Sequence, residues 1–193
     1  MSTTTIDPVE RLLDNADQGH MIIKNPNVLR HDYIPERILH RDKQQELVTQ
    51  SLIPLYRKSI PPNLLVYGKP GTGKTLVIKK VLNQIQNRVD KNSYRIKIVI
   101  TNAKEQSNLY NVLVDLGRQL GLKPKKTPDD KLWLPHTGLS ISEVFNRILY
   151  IIEKNKINSV FVIDEIDHLA KLVDKTGKDI LYSITRANLK LKN

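Results

Sequence analysis

Apolar residues recur along the chain in patterns that predict both helices and strands. Ile78, Val81, Leu82 and Ile85 repeat at intervals of three and four residues, as on one face of a helix. The run "NLLVYG" before them is continuously apolar and has the length of a strand, and so has the run "SVFVIDEID" further on. Such runs are typical of strands buried on both faces of a parallel sheet. We therefore predict two fully buried strands, the first leading into a helix.

A third stretch, "YRIKIVIT", has a different pattern. Ile96, Ile98 and Ile100 fall on one side, and the charged Arg95 and Lys97 fall on the other. Alternation of this kind predicts a strand that is half exposed and lies near the edge of the sheet.

Four more helices follow from spacing and from residues that begin or end helices. Strands alternating with helices favour a parallel sheet with helices on both faces. The first of the four has the apolar residues Leu47, Leu52 and Leu55, and Pro54 kinks or ends it. The second ends at Gly121 and has an apolar face of Leu109, Val112, Leu113, Leu116 and Leu120. The third begins with a capping box of Ser140 and Glu143 before the apolar residues Val144, Ile148, Leu149 and Ile152, and the last lies in "KDILYSITRANLK".

Length and composition suit one α/β domain with an extension. The chain has 193 residues, of which 39% are hydrophobic, and it contains no cysteine. The missing cysteines exclude disulfides and thiolate metal sites, and they fit a reducing compartment. The first residues carry no long apolar run, so we expect a cytoplasmic protein without a signal peptide or membrane span. We predict a polar extension over residues 1–30 and one folded domain over residues 31–193.

The formal net charge of +11 raises the question of nucleic acid as a partner. Lysine is abundant throughout the chain, however, and lysine-rich surfaces are common in soluble proteins. Charge alone leaves both interpretations open.

The most specific motif is "YGKPGTGKT". Gly68, Gly73, Lys74 and Thr75 satisfy the G-x-x-x-x-G-K-[ST] pattern of a phosphate-binding loop, with a predicted strand before it and a helix after it. Backbone N–H groups and the helix N-terminus would hold phosphate oxygens. Lys74 would contact the β and γ phosphates, and the Thr75 hydroxyl would bind Mg²⁺.

Two carboxylates end the second apolar run. Asp164 and Glu165 follow "SVFVI", and ligands of open parallel sheets bind where strands end. Asp164 would hold Mg²⁺, directly or through water, and Glu165 would orient the attacking water. The less specific interpretation is a solvated turn at a strand end.

Four segments together resemble archaeal replication initiators of the origin-recognition and Cdc type, which are AAA+ ATPases. They are "VLRHDYIPERILHRDKQQELV", "NLLVYGKPGTGKT", "VFVIDEID" and "ILYSITR". The resemblance runs from about Val28 to Arg186, and it implies that residues 31–193 are a partial AAA+ nucleotide-binding domain. It implies a P-loop AAA+ fold, ATP or ADP with Mg²⁺, and a nucleotide-dependent switch that recognises origins and helps to recruit the replicative helicase.

The resemblance also implies roles for particular residues. It gives the phosphate contacts to Gly71–Leu76 and makes Asp164 and Glu165 the second nucleotide motif. The segment from Tyr33 to Arg41 would lie beside the adenine. A helical insertion that touches DNA would fall between Ala103 and Leu120, where periodicity predicts an ordinary packed helix. The full set of predicted nucleotide contacts is Gly68, Lys69, Pro70, Gly71, Thr72, Gly73, Lys74, Thr75 and Leu76.

The chain departs from that family after residue 193. Family members continue with a strand carrying a polar sensor residue, an arginine finger, a helical lid and a winged helix that binds DNA. We expect hydrolysis to be slow or absent, because an arginine finger contributes about 10³–10⁵ in rate. The sensor strand would lie between the strands bearing Lys74 and Asp164. We therefore predict that these two strands pair directly, leave an open slot or accept another chain, with marginal stability or self-association.

Two other interpretations of function stay open. The chain could be a non-catalytic paralogue that pairs with a full-length initiator and regulates it. It could instead belong to another AAA+ machine, such as a transposition helper or a clamp loader.

Weaker features favour ordinary structural roles. Trp133 is expected to cover an edge of the core rather than stack on a base, and Arg186 to form a surface ion pair rather than face a neighbour's nucleotide. The loop lysines Lys123, Lys125, Lys126 and Lys131 suit a solvated surface, and His20, His31, His40, His136 and His168 lack metal-ligand spacing.

Overall fold

The computed structural model describes residues 7–17, 19, 23, 25–30, 33–57, 59–91, 95–125, 131–172, 182 and 184–186. The chain divides into two compact units, Met1–Ile38 and Leu39–Asn193. The first unit contains helix α1, Pro8–Asp17, none of whose residues is buried, and a 3₁₀ turn, Pro26–Leu29. The domain boundary expected at residue 31 stays a prediction.

The second unit contains a parallel two-stranded sheet with helices on both faces. Its strands are β1 (Ile96–Asn102) and β2 (Asn158–Asp164), paired in register from Ile96 opposite Asn158 to Asn102 opposite Asp164. The predicted parallel α/β fold is therefore confirmed. The helices are α2 (Asp42–Leu52), followed by a 3₁₀ turn (Ile53–Arg57), α3 (Lys74–Lys91), α4 (Ala103–Gln106), α5 (Leu109–Leu120), α6 (Ile141–Asn155) and α7 (Ile166–Leu172).

Two apolar clusters cover the two faces of the sheet. The larger one joins Val99 of β1 to the buried faces of α5 and α6. The smaller one joins Ile96 of β1 to the buried faces of α2 and α3. Full burial of one such aliphatic side chain contributes about 1.5–3 kcal/mol, so this three-layer packing stabilises the unit.

The helix predictions hold in most respects. Pro54 ends α2 at Leu52, and the chain continues as a 3₁₀ turn because proline lacks the N–H that an α-helix requires. Leu47 is exposed, and Val48 is buried in its place, which corrects the predicted face of α2. Gly121 adopts φ 110° at the end of α5, as expected of a C-terminal glycine.

The start of α6 has half of the predicted capping box. Ser140 Oγ accepts a hydrogen bond from Glu143 N at 3.1 Å. The Glu143 carboxylate does not return the bond to the Ser140 backbone, because it forms an ion pair with Arg147 at 3.0 Å. The last predicted helix lies largely outside the described residues.

The strand predictions need three corrections. The segment "NLLVYG" is not a strand, because no described residue pairs with its backbone. Its Leu65 and Tyr67 are 73% and 87% exposed. β2 is only half buried, since β1 is its one neighbour among the described strands. β1 lies at an edge as predicted, but its second face is covered by α5, so Val99 and Thr101 are buried.

Within the described residues, no helix is long and apolar enough to cross a membrane.

Candidate functional site

The predicted phosphate loop, Gly68–Thr75, wraps around the side chain of Lys74 at the start of α3. Lys74 Nζ donates to the carbonyl oxygens of Gly68 and Lys69, both at 3.0 Å. Thr72 Oγ1 donates to the same carbonyl oxygen of Lys69 at 2.9 Å. The ammonium group is therefore held at the centre of the loop by acceptors that a phosphate group could replace.

Glycine is required at two points of this loop. Gly71 and Gly73 have φ of 73° and 84°, in the left-handed region that residues with a Cβ adopt at a cost. A Cβ added at either residue would meet no atom within 4 Å. The requirement is therefore conformational rather than steric.

The loop meets the end of β2 through one direct contact. Thr75 Oγ1 donates to Asp164 Oδ2 at 2.8 Å, although the two residues are 89 positions apart in sequence. The other carboxylate oxygen of Asp164 accepts from Glu165 N at 3.0 Å. The structure thus brings together the two groups that the sequence assigned to Mg²⁺, and their oxygens are the kind of ligand that Mg²⁺ prefers.

Glu165 has an unusual backbone. Its φ is 52°, in the left-handed region, and its carbonyl accepts from His168 N at 3.0 Å in the first turn of α7. Its side chain is exposed, at the same end of the sheet as the phosphate loop. Such strained conformations cost of order 1–3 kcal/mol, and they concentrate at functional sites.

A cavity of about 250 Å³ adjoins the phosphate loop. Four aliphatic side chains, Val48, Val66, Val77 and Ile78, form its apolar walls. A mostly apolar cavity with a few polar groups suits a flat organic ring. Its polar border and remaining walls are Arg41, Gln44, Tyr67, Thr72, Gly73 and Lys74.

Arg41 is the contact that sequence reasoning did not assign. Its Nε and Nη2 both donate to Thr72 O at 3.2 Å, and its Nη1 donates to His40 O at 3.0 Å. The signal in the sequence was indirect, because Arg41 ends the segment expected beside the adenine and precedes α2. Pro70 and Leu76, also predicted contacts, have aliphatic side chains without hydrogen-bonding groups, and their roles stay predictions.

Other candidate residues have structural contacts. Trp133 Nε1 donates to Pro124 O at 3.2 Å, and the Arg147 guanidinium lies 5.3 Å from its ring, which fits a side chain covering a core edge. The Arg186 guanidinium lies 4.6 Å from the ring of Tyr182, and none of the described carboxylates forms the expected ion pair with it. Lys131 Nζ is 5.2 Å from the ring of Tyr150.

The remaining lysine and histidine predictions are only partly testable. Lys126, His20 and His31 lie outside the described residues. In the part of the chain that is described, no three histidine or carboxylate side chains come together as metal ligands.

Comparison with known families identifies this arrangement. The sequence profile of the AAA domain matches residues 59–191. The chain belongs to the AAA domain family. The phosphate loop, the end of β2 and most of the cavity lie within the matched residues of this AAA domain.

Relatives of this AAA domain are ORC1-type DNA replication proteins. One from Cenarchaeum symbiosum is 54% identical over 189 residues, covering 98% of this chain and 44% of the relative. One from Pyrococcus furiosus is 32% identical, covering 95% of this chain and 42% of the relative. The predicted resemblance to archaeal initiators is confirmed, and the chain spans less than half the length of these relatives.

Two solved structures of archaeal ORC proteins also match this chain. The ORC1 protein of Aeropyrum pernix, in complex with DNA, matches with a TM-score of 0.75 and 33% identity over 85% of this chain and 40% of its own. The ORC2 protein of the same organism, in ADPNP and ADP complexes, matches with a TM-score of 0.68 and 19% identity over 88% of this chain and 42% of its own. The second likeness concerns the fold alone.

Proposed function

We propose that the chain is the nucleotide-binding AAA+ module of a DNA replication initiator, and that it binds ATP or ADP with Mg²⁺. The contact between Thr75 Oγ1 and Asp164 Oδ2 carries this proposal. It joins the phosphate loop to the acidic end of β2 at the distance where one cation could bind both oxygens. Neither a glycine turn nor a solvated strand end would require it.

Each side chain of the site would have the role that suits its chemistry. Lys74 would exchange its two carbonyl contacts for phosphate oxygens, and Thr75 and Asp164 would hold the cation. Bound Mg²⁺ would neutralise charge on the phosphates. The apolar cavity beside the loop would take the base, and Glu165 would orient a water molecule near the terminal phosphate.

The direct test is calorimetric titration of the 193-residue chain with ADP, with and without Mg²⁺. We expect Lys74→Ala to weaken binding at least tenfold, because hydrogen bonds to charged groups contribute about 1.5–3 kcal/mol each. Lys91→Ala, which removes an exposed cation at the far end of α3, is the matched control and should leave the affinity unchanged. ADP affinity that is equal in all three proteins would refute the proposed site.

Contact with DNA is the second part of the proposal. A net charge of +11 and the DNA complex of the Aeropyrum pernix ORC1 protein support it. We expect weak, salt-dependent binding without preference for one sequence, since charge carries the interaction. Footprinting that protects one defined sequence would contradict this expectation.

The relatives favour an initiator over a transposition helper or a clamp loader. Origin recognition, helicase recruitment and a nucleoid-associated, cytoplasmic location belong to the proposal. The alternative of a regulatory paralogue is tested by mixing the chain with a full-length initiator and measuring heteromer formation by light scattering. A stable heteromer would favour the paralogue.

A further inference from the structure

We infer that Arg41 is a positioning residue, which fixes and polarises the phosphate loop through the carbonyl group of Thr72. This inference rests on the proposed nucleotide-binding function. It concerns one peptide unit of the loop, the one that joins Thr72 to Gly73.

The guanidinium group of Arg41 is committed to backbone carbonyls. Two of its nitrogens converge on Thr72 O and the third donates to His40 O. None of the described carboxylates forms an ion pair with it. A cation that donates twice to one neutral acceptor polarises that acceptor, because charge-assisted hydrogen bonds are roughly twice as strong as neutral ones.

The polarised peptide carries the amide of Gly73. In a trans peptide the C=O and N–H groups point in opposite directions, so with Thr72 O directed at Arg41 the Gly73 N–H points away from it. Backbone N–H groups of such loops are the donors that hold phosphate. Withdrawal of electron density by Arg41 makes the Gly73 N–H a stronger donor, by the cooperativity of linked hydrogen bonds.

Arg41 itself is held in place by α2. Its carbonyl accepts from Gln45 N at 3.0 Å and from Gln45 Nε2 at 3.3 Å, which fixes the start of the helix. Val48 and Leu52, further along α2, pack with Val81 of α3 in the smaller apolar cluster. Because α3 begins at the phosphate loop, α2 supports that loop both through the apolar cluster and through Arg41.

This arrangement links the cavity to the phosphate loop. Arg41 lines the cavity and bonds to the loop at the same time. A base in the cavity would restrict the guanidinium group in its bonded position. Because its bonds to the loop are direct, we expect Arg41 to raise the contribution of the β-phosphate to affinity more than the contribution of the base.

The test compares ADP with AMP, which lacks the β-phosphate, by competition against a fluorescent ADP analogue. In Arg41→Ala we expect the affinity for ADP to fall about tenfold or more while that for AMP changes less than about threefold. Arg41→Lys keeps the charge but lacks the forked pair of donors that contacts Thr72 O. It should therefore restore only part of the wild-type ratio of ADP affinity to AMP affinity. Lys43→Ala, an exposed cation two residues further on, should match the wild type.

A second readout reports the peptide unit directly. The amide proton of Gly73 should lie downfield in the wild-type NMR spectrum and move upfield in both Arg41 variants but not in Lys43→Ala. Equal losses for ADP and AMP, or an unmoved Gly73 amide, would overturn the inference. If Arg41→Ala does not fold, Arg41→Lys supplies both measurements. A wild-type chain that binds neither ligand would instead refute the proposed function.

Discussion

At the scale of single residues, the candidate site contains a strained backbone at Glu165 and several charged groups that bond to neutral partners. Glu165 has positive φ, and its neighbour Asp164 accepts hydrogen bonds on both carboxylate oxygens. The backbone therefore fixes Glu165 beside a carboxylate that is already bonded. This geometry suits a residue that orients water rather than one that holds the cation.

Glu165→Gln should separate binding from chemistry. Glutamine keeps the size of the side chain but cannot accept a proton, and loss of a general base costs about 10²–10⁴ in rate. We expect unchanged ADP affinity and at least tenfold slower conversion of bound ATP to ADP. The measurement is a single-turnover assay with excess protein and labelled ATP.

The same assay measures whether hydrolysis is slow, which stays a prediction. Asp90→Asn at the far end of α3 is the control for removing one carboxylate. Wild-type conversion that Glu165→Gln leaves untouched would show that another group orients the water. ATP that stays intact in the wild type for hours would mean that the site only holds the nucleotide.

At the scale of elements, the sequence predicted helices α2, α3, α5 and α6 from their own residues but missed α1, α4 and α7. Helix α5 ends at Gly121, and α6 begins at Ser140, because these residues satisfy local backbone groups. The phosphate loop was found for the same reason. "NLLVYG" was predicted wrongly, because a strand needs a hydrogen-bonded neighbour and the segment's own composition cannot supply one.

The contact of Arg41 with Thr72 shows a second limit of sequence reasoning. The two residues are 31 positions apart, and one partner is a backbone carbonyl, which carries no signature in the sequence. Asp164 and Thr75 were predicted together only because both have recognisable side chains.

Helix α5 offers an element-scale prediction at Gly117. A Cβ there would lie 2.8 Å from Leu134 Cδ2 and 2.9 Å from Leu122 Cδ1, and both leucines are buried. Overpacking costs about 1–3 kcal/mol, and alanine regains up to about 1 kcal/mol of helix propensity. We therefore expect Gly117→Ala to lower the free energy of unfolding by about 1 kcal/mol, measured by urea denaturation.

The control for Gly117→Ala is Asn87→Ala, at an exposed position of α3. It should be neutral or slightly stabilising, because alanine is the better helix former. A stabilised Gly117→Ala protein would mean that the leucines move aside freely, and that the close approach of α5 to this part of the core is not needed.

At the scale of the whole molecule, the two edges of the sheet differ. The outer edge of β1 is covered at Ile100, where the Gln119 side chain accepts from the backbone N–H at 3.0 Å and donates to the carbonyl at 2.8 Å. No described residue pairs with the outer edge of β2. The segment "NLLVYG" does not pair with this edge, so direct pairing of the segments next to Lys74 and Asp164, one of the three expected outcomes, is absent among the described residues.

The direction of the backbone groups along β2 identifies which of them are unpaired. Asn158 N donates to Arg95 O at 2.8 Å and so points toward β1. Because neighbouring residues of a strand point their N–H and C=O groups to opposite sides, those of Ser159, Phe161 and Ile163 point to the open edge. Unpaired groups of this kind are a template for pairing with another chain.

We therefore expect the isolated chain to self-associate through the open edge of β2, and its melting temperature to depend on concentration. The exposed side chains of Leu64 and Leu65 add apolar surface that association would bury. Ser159→Pro tests this, because proline removes an N–H that points away from β1 and so leaves the β1–β2 pairing intact. Sedimentation velocity at several concentrations should show less association in Ser159→Pro, with ADP affinity unchanged.

Val160→Pro is the contrasting variant, since it removes a bond to β1 and should destabilise the fold. A wild-type monomer with a sharp melting transition at every concentration would contradict the expectation and would mean that the open edge is tolerated in water.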